Sequence, residues 1–413
     1  MLSSCRVLDL TTERGLLCGQ ILGDLGADVI KVEPPGGSAV RWMKPFFHDE
    51  PHPDRSLYWW SYNRNKRGIT LNLEEAQGRE ILCRLAAHAD FFLESETPGM
   101  LPAKGLGYRE IAERNPAVVY VSITPFGQDG PKAHYADSDL IIMAAGGPLI
   151  LYGDEDRPPI RMSVPQAYLH ASVDAAAGAL IAYYERLSSG RGQQVDISAQ
   201  QSVGLMTQSL ILAVPLRSED AGRMAGGVKM GPLKVPLVWR AKDGQITFVF
   251  LFGSAIGPFT RRFMDHLYHA GGCDEATHSK DWIAFGDMLL NGKESMEEYE
   301  RIKGVIAAYF ESKTKAELFK IAREHNILIA PIATIDEVLD NPQFESRGYW
   351  QTVEHPEIGQ AFRYPGPFAR FSAKPIAYRR RPPTVGEHNS EIYVGELGMS
   401  EDEFDQLVRR GII

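Results

Sequence analysis

The stretch VLDLTTERGLLCGQILGDLGADVIKVE, residues 7–33, decides the fold class. Val7–Leu10 is a short apolar run, Glu13–Leu25 carries a helical pattern and Asp28–Glu33 is a second apolar run, which together read as strand, helix and parallel strand. Gly15, Gly19, Gly23 and Gly26 recur at spacings of three and four, leaving one helix face almost bare. Such a face admits a sheet or a ligand at close range, and the spacing fits either use. A full GxGxxG is missing, so a nicotinamide or flavin fingerprint is not supported.

Outward from this unit the same alternation continues. Helix Glu74–His88, strand Asp90–Glu94, helix Tyr108–Arg114 and strand Val118–Ile123 form a second cycle. A long helical pattern from about Pro165 to Leu187 stops at Ser188-Ser189-Gly190, before a strand at Gln194–Ile197 and a helix from about Ala199. Residues 218–236 lose all periodicity and read as a linker. Residues 237–339 hold a strand pair around Asp243-Gly244 and helical patterns at Trp282–Leu290, Glu297–Ser312 and Lys315–His325, a smaller α+β domain. From 340 to 413 the chain reads as an extended proline-rich return and a final helical pattern broken by Glu401-Asp402-Glu403.

With 413 residues the chain exceeds one ordinary domain, at about 150 residues each. Its 44% hydrophobic and 23% charged composition excludes disorder as the main state. A net charge of −9 argues against nucleic acid as partner, and the one tight basic run, Arg379-Arg380-Arg381, is expected to be a solvated turn. Cys5, Cys18, Cys83 and Cys273 lie too far apart for a metal site or a disulfide framework, so no metal is expected and the thiols read as reduced. The longest apolar stretch, Leu140–Tyr152, is interrupted by Gly146-Gly147-Pro148 and falls short of the about twenty residues a membrane span needs. A cytoplasmic protein without membrane attachment is the expectation.

Several segments together resemble the class III CoA-transferase family, which includes formyl-CoA and carnitine CoA-transferases and the α-methylacyl-CoA racemases. They are Leu22–Glu33, Asn63-Arg64-Asn65-Lys66-Arg67, Pro98-Gly99 with Gly105-Leu106-Gly107-Tyr108, Gly127-Gln128-Asp129-Gly130-Pro131, Ser189-Gly190-Arg191-Gly192-Gln193 and Gly386-Glu387-His388. The resemblance implies a Rossmann-like large domain, residues 1–217 and 340–413, with the smaller domain inserted, and an interlocked dimer in which each chain passes through the other. It implies a CoA thioester as substrate and no covalently bound cofactor.

Moving CoA between two carboxylates needs an acyl carrier, and in the family an aspartate at the start of the long helix attacks the thioester. The matching triplet here is Ala167-Tyr168-Leu169, so Tyr168 stands at the nucleophile position. A phenol of ordinary pKa near 10 is a poor carrier. Asp174 lies about 9 Å further along the helix and about 120° around it, so it cannot substitute, whereas Glu94 or Asp139 could act from elsewhere. Ser138-Asp139 replaces the His-Asp pair of the racemases. By the same resemblance Arg41 and Lys66 match cations that meet the CoA phosphates, Lys104 is displaced by one from a family arginine at Ala103, and Gly226-Gly227 matches a loop that closes over the neighbouring chain's site. The expected function is that of a subunit lacking the nucleophile, partnered by a homologous chain that carries the aspartate. A homodimeric transferase with another nucleophile and a non-enzymatic CoA-binding protein remain open. Trp42, Phe46, Phe47, Trp59, Trp60 and Phe126 are either pocket or core.

Overall fold

Strands β1 (Arg6–Asp9), β2 (Asp28–Glu33), β3 (Lys66–Thr70), β4 (Phe91–Glu94), β5 (Val119–Thr124) and β6 (Gln194–Ser198) form one six-stranded sheet in the order β3-β2-β1-β4-β5-β6. Every pairing in it is parallel. This is the doubly wound order, whose crevice opens where β1 and β4 diverge. Strands β1–β5 are buried on both faces, which is why most of them read as apolar runs rather than as alternation, whereas the edge strand β6 is partly exposed. The computed structural model describes residues 1–217, 222–230 and 233–413; residues 218–221 and 231–232, part of the expected linker, lie outside the described residues.

Both ends of the chain share one core. Leu8, Ile30, Phe92 and Tyr120 of the sheet cluster with Tyr393, Leu407 and Ile413. The Gly386-Glu387-His388 segment covers the open edge of β3: the Gly68 N–H donates to His388 Nδ1 at 3.1 Å, and the His388 N–H donates to the Gly68 carbonyl at 2.9 Å. Asn389 continues this, accepting from the Thr70 N–H at 2.9 Å. An edge strand that would otherwise offer unpaired groups is thereby closed.

The chain divides into a unit of Met1–Leu149, Arg161–Arg217 and Gln343–Ile413 and a second of Ile150–Ile160 and Ser218–Pro342. Residues 150–160, which the sequence reading leaves in the large domain, pack with the second unit. Arg223 Nε donates to the Asp154 carbonyl at 2.8 Å and the Ala225 N–H to Asp154 Oδ1 at 3.0 Å. Within the expected linker, β7 (Gly227–Met230) and β8 (Leu233–Pro236) pair as an antiparallel hairpin. Strands β9 (Val238–Ala241), β10 (Gly244–Phe248) and β11 (Ile329–Pro331) form an antiparallel sheet against helices that include Met296–Glu311 and Lys315–His325. The 17-residue helix Gly253–His269 is not legible from periodicity because Gly253, Gly257 and Pro258 weaken its first turns. Its buried Thr260, Phe263, Met264 and Leu267 nonetheless keep the helical repeat.

Two further expectations change. Glu401-Asp402-Glu403 is no break but the first turn of helix Glu401–Arg409, with Ser400 accepting the Glu403 N–H at 3.2 Å. Acids there complement the helix dipole. The proline-rich return also contains a hairpin, β12 (Gln351–His355) with β13 (Gln360–Tyr364). Among the described residues no helix is long and apolar enough to cross a membrane.

Candidate functional site

The motifs that stand out in the sequence meet as a buried charge network. Lys66, at the start of β3, donates to Asp9 Oδ2 at 2.8 Å, the Leu16 carbonyl at 2.9 Å and Asn63 Oδ1 at 3.0 Å, so all three ammonium protons are used. Lys31 reaches the other Asp9 oxygen at 3.4 Å. Burial would raise the Asp9 pKa, but Lys31 and Lys66 hold it down at about 2. Asp24 takes Arg64 at 3.0 Å and Asn65 at 2.7 Å, while Arg67 pairs with Asp28 and with Glu391 and Glu396. The bare helix face serves packing: a Cβ at Gly19 would stand 2.2 Å from Asp9 Oδ2. The Arg379–Arg381 run lies at the surface as expected, with Arg379 and Arg380 exposed, but its side chains are engaged. Arg379 donates to the Gly23 and Ala27 carbonyls at 2.9 and 3.1 Å, satisfying the end of helix Leu16–Asp24, and Arg381 pairs with Glu357 at 2.7 Å.

Two of the three cations matched to CoA phosphates are consumed inside this network. Arg41 is fully buried, gripped by Glu33 at 2.8 and 2.7 Å and by Asp54 at 2.8 Å, with its guanidinium 3.7 Å from the Trp59 ring. Lys66 has no free donor. Neither presents a group to a phosphate, because the carboxylates on neighbouring elements already occupy them. Lys104 pairs at the surface with Glu74 at 2.5 Å. Some of these partners, such as Asp9 for Lys66, lie far away in sequence and others, such as Glu33 for Arg41, lie near, but residue type alone carried no sign of the pairing.

A cavity of about 240 Å³ opens at the start of helix Ala167–Ser189. Tyr168 lines it, with Arg14, Asp137 and Asp139. The Tyr168 hydroxyl donates to Asp137 Oδ2, and Arg14 Nη2 donates to Asp137 Oδ1 at 2.7 Å. Burial and the Asp137 carboxylate together push the Tyr168 phenol well above its ordinary pKa. A phenol that keeps its proton this firmly is no acyl carrier. Asp139 Oδ1 accepts the N–H groups of Gln166 and Ala167 at 2.6 and 2.9 Å, so it caps the helix that would elsewhere polarise a nucleophile. Asp174 is not among the residues lining the cavity.

Glu94 closes β4 beside this site, accepting the Glu96 N–H at 2.8 Å and Gln128 Nε2 at 3.4 Å. Burial raises its pKa from 4.5 to about 7, so near neutrality a large share of it is the neutral acid, which is no nucleophile. A raised carboxyl pKa favours folding fully below its unfolded value and loses that contribution as pH rises through the folded value. The stability of Glu94→Gln relative to the native chain should therefore climb between pH 4.5 and about 7. The rise should be on the order of 3 kcal/mol. Urea unfolding of both proteins across that range measures it, and a pH-independent difference would show that Glu94 stays ionised in the fold.

Gly226 and Gly227 open hairpin β7–β8. Gly226 has φ +64, in the left-handed region, and a Cβ on Gly227 would come within 2.4 Å of the Val235 carbonyl oxygen, so the hairpin leaves no room for a side chain at Gly227. Of the aromatic candidates, Phe46, Trp59 and Trp60 are buried, Phe47 packs on the Trp59–Trp60 cluster, Trp42 is exposed, and none lines the cavity. Besides Tyr168, the rings that line it are Tyr58 and Tyr62, which the sequence reading does not single out; their short helix, Leu57–Tyr62, turns them there.

The family model for CoA-transferase family III matches residues 2–389. The succinyl-CoA:(R)-benzylsuccinate CoA-transferase subunit BbsE of Thauera aromatica is 33% identical over 100% of this chain and 98% of its own length. Succinyl-CoA–D-citramalate CoA-transferase of Chloroflexus aurantiacus is 31% identical over 100% and 98%. A CAIB/BAIF family protein from Brucella suis superposes with TM-score 0.76 at 27% identity, covering 95% of this chain and 98% of that one. With a parallel doubly wound sheet, a smaller antiparallel unit and a family match across nearly the whole length, the chain belongs to the class III CoA-transferases.

Proposed function

We propose that this chain is the non-nucleophilic subunit of a heteromeric class III CoA-transferase. The complex moves CoA from an acyl-CoA such as succinyl-CoA to a carboxylic acid such as (R)-benzylsuccinate, and a homologous partner supplies the attacking aspartate. The single observation that carries this is Tyr168: at the start of helix Ala167–Ser189 stands a proton-retaining phenol bound to Asp137 in place of a carboxylate. The similarity to a protein named as a transferase subunit supports the heteromeric form and suggests the substrate pair.

The long helix supports a partner as well. Its buried face is small, with Ala167, Ala171, Ala175, Ala179 and Ala182, while Val173, Ile181, Tyr184 and Leu187 stand exposed on the other, Ile181 at 70% and Tyr184 at 76%. Large apolar groups outward and alanines inward invert the pattern of a helix on a monomer's surface. In this reading the homologous chain covers that stripe as one half of an interlocked dimer.

In the assembled complex, Tyr168→Phe should leave turnover within about threefold of native, since losing the hydrogen bond to Asp137 costs about 1.5–3 kcal/mol of stability but removes no reacting group. Steady-state kinetics on the co-purified complex decides it, and a fall of several orders of magnitude with intact assembly would make Tyr168 the carrier. The Gly226-Gly227 turn is read as lying over the partner's aspartate, where closure keeps water from the activated acyl group. Because asparagine tolerates positive φ, Gly226→Asn keeps the turn while adding bulk. It should raise acyl-CoA hydrolysis relative to transfer, and an unchanged product ratio would place the turn away from the chemistry.

A further inference from the structure

Arg14 and Tyr168 hold Asp137 in the way a binding site holds a carboxylate. One oxygen takes Arg14 Nη2 at 2.7 Å, the other takes the Tyr168 hydroxyl, and the guanidinium lies 6.0 Å from the Tyr168 ring. Arg14 Nη1 is fixed by the Ser95 carbonyl at 3.2 Å, so the guanidinium is oriented from the β4 side independently of Asp137. Arg14 Nε is buried and has no partner, a donor left over in an otherwise satisfied cluster. Around these groups the cavity wall is apolar, from Leu16, Leu17, Met43 and Leu169.

Charge decides what this cavity admits. Glu13, Asp137 and Asp139 line it with Arg14 as the cation among the lining residues, and Asp139 takes the N–H groups of Gln166 and Ala167 at the helix start. A carboxylate entering the cavity as it stands meets three acidic side chains and one leftover guanidinium N–H, Arg14 Nε, while Asp137 already occupies Nη2 of the same group. Remove Asp137, and Arg14 with the Tyr168 hydroxyl face an open carboxylate-sized vacancy. Asp137 itself sits on the irregular stretch between β5 and helix Asp139–Ala145, on neither element.

We propose that Arg14 and Tyr168 form a carboxylate-binding subsite that Asp137 fills from within the same chain. Asp137 is then the specificity residue that closes this chain's own cavity to carboxylic acids. This follows from the cavity alone and does not depend on a partner subunit or on where the nucleophile lies.

The experiment is binding, with no turnover involved. Titration calorimetry of the full chain with succinate and with benzoate compares the native protein, Asp137→Ala, Asp137→Asn and the double variant Arg14→Gln/Asp137→Ala, with benzamide as neutral control. Native protein should show no saturable binding at millimolar concentration. Asp137→Ala should bind the carboxylates at least about tenfold more tightly, the size expected of one charge-assisted pair. The added Arg14→Gln should abolish the gain, and benzamide should not discriminate. Tyrosine near-ultraviolet absorbance should shift on carboxylate addition in Asp137→Ala, because the phenol acquires a new acceptor. Should Asp137→Ala misfold, Asp137→Asn keeps the shape without the charge and is read in the same way. Equal carboxylate affinity in the native chain and in a folded Asp137 variant, or a gain that survives Arg14→Gln, overturns the proposal. Transfer activity by the isolated chain would remove the partner reading above and leave this result untouched.

Discussion

Purified without a homologous partner, the chain is expected to transfer CoA no faster than background, and co-expression with an aspartate-bearing family member should restore transfer. Losing the nucleophile of a covalent mechanism costs on the order of 10⁴–10⁶-fold in rate, because the residual site offers only binding and orientation. Among the described residues near the long helix, Tyr168, Asp139 and Glu94 are each ill placed to replace it. The Tyr168 phenol is held above its ordinary pKa by burial and by Asp137, Asp139 is spent on two helix N–H groups, and Glu94 is pushed up to about 7. Tyr168→Asp should not rescue the single chain either. The new carboxylate would stand beside Asp137, with Arg14 the one cation lining the cavity to serve both. Like charges so placed cannot both ionise easily. The measurement is initial rate of thioester exchange by the single chain, the complex and the variant. Robust turnover by the single chain would sink the subunit reading.

Asp9→Leu should be the most damaging single substitution in the sheet. Asp9 and Lys66 are both fully buried, and Lys31 is 1% exposed, so removing the carboxylate leaves two ammonium groups in the interior without their counter-charge. Breaking one side of a buried pair costs about 3–5 kcal/mol, most of it the uncompensated charge. Lys66→Met should cost less, because Asp9 keeps Lys31 and the Thr11 N–H and hydroxyl, at 3.4, 2.9 and 2.6 Å. Asp9 is depressed to about 2 from its ordinary 3.8, so its contribution is complete above 3.8 and fades as pH falls through about 2. The gap between native and Asp9→Leu in denaturant midpoint should therefore be constant from pH 5 to 7. If Lys66→Met proved the worse of the two, the pair would not be organised around Asp9.

Much of the large domain was legible because parallel strands buried on both faces leave uninterrupted apolar runs, and β2 coincides with the expected Asp28–Glu33. The helix Gly253–His269 was not, since its glycines and proline lower local propensity while its long-range packing on Phe248 and Trp282 restores it. Hairpins β7–β8 and β12–β13 were hidden for a related reason: their pairing is decided between strands, and the short runs carry little period of their own.

The candidate site divides the same way. Residue order alone placed a tyrosine at the head of the long helix, and that identity is a covalent fact no fold can alter. It also placed Asp24, Asp28, Arg64, Asn65, Lys66 and Arg67 in the motifs that mark the family. What those groups do was decided in three dimensions. Arg41 and Lys66 read as phosphate ligands until the fold brought Glu33, Asp54 and Asp9 against them. Arg14, Asp137 and Tyr168 are separated by 123 and 31 residues along the chain, and only the sheet, by setting the end of β4 beside the start of helix Ala167–Ser189, joins them. Sequence fixes which charges a protein owns; burial and pairing, which depend on inverse distance and local dielectric, determine which of them remain available to a ligand.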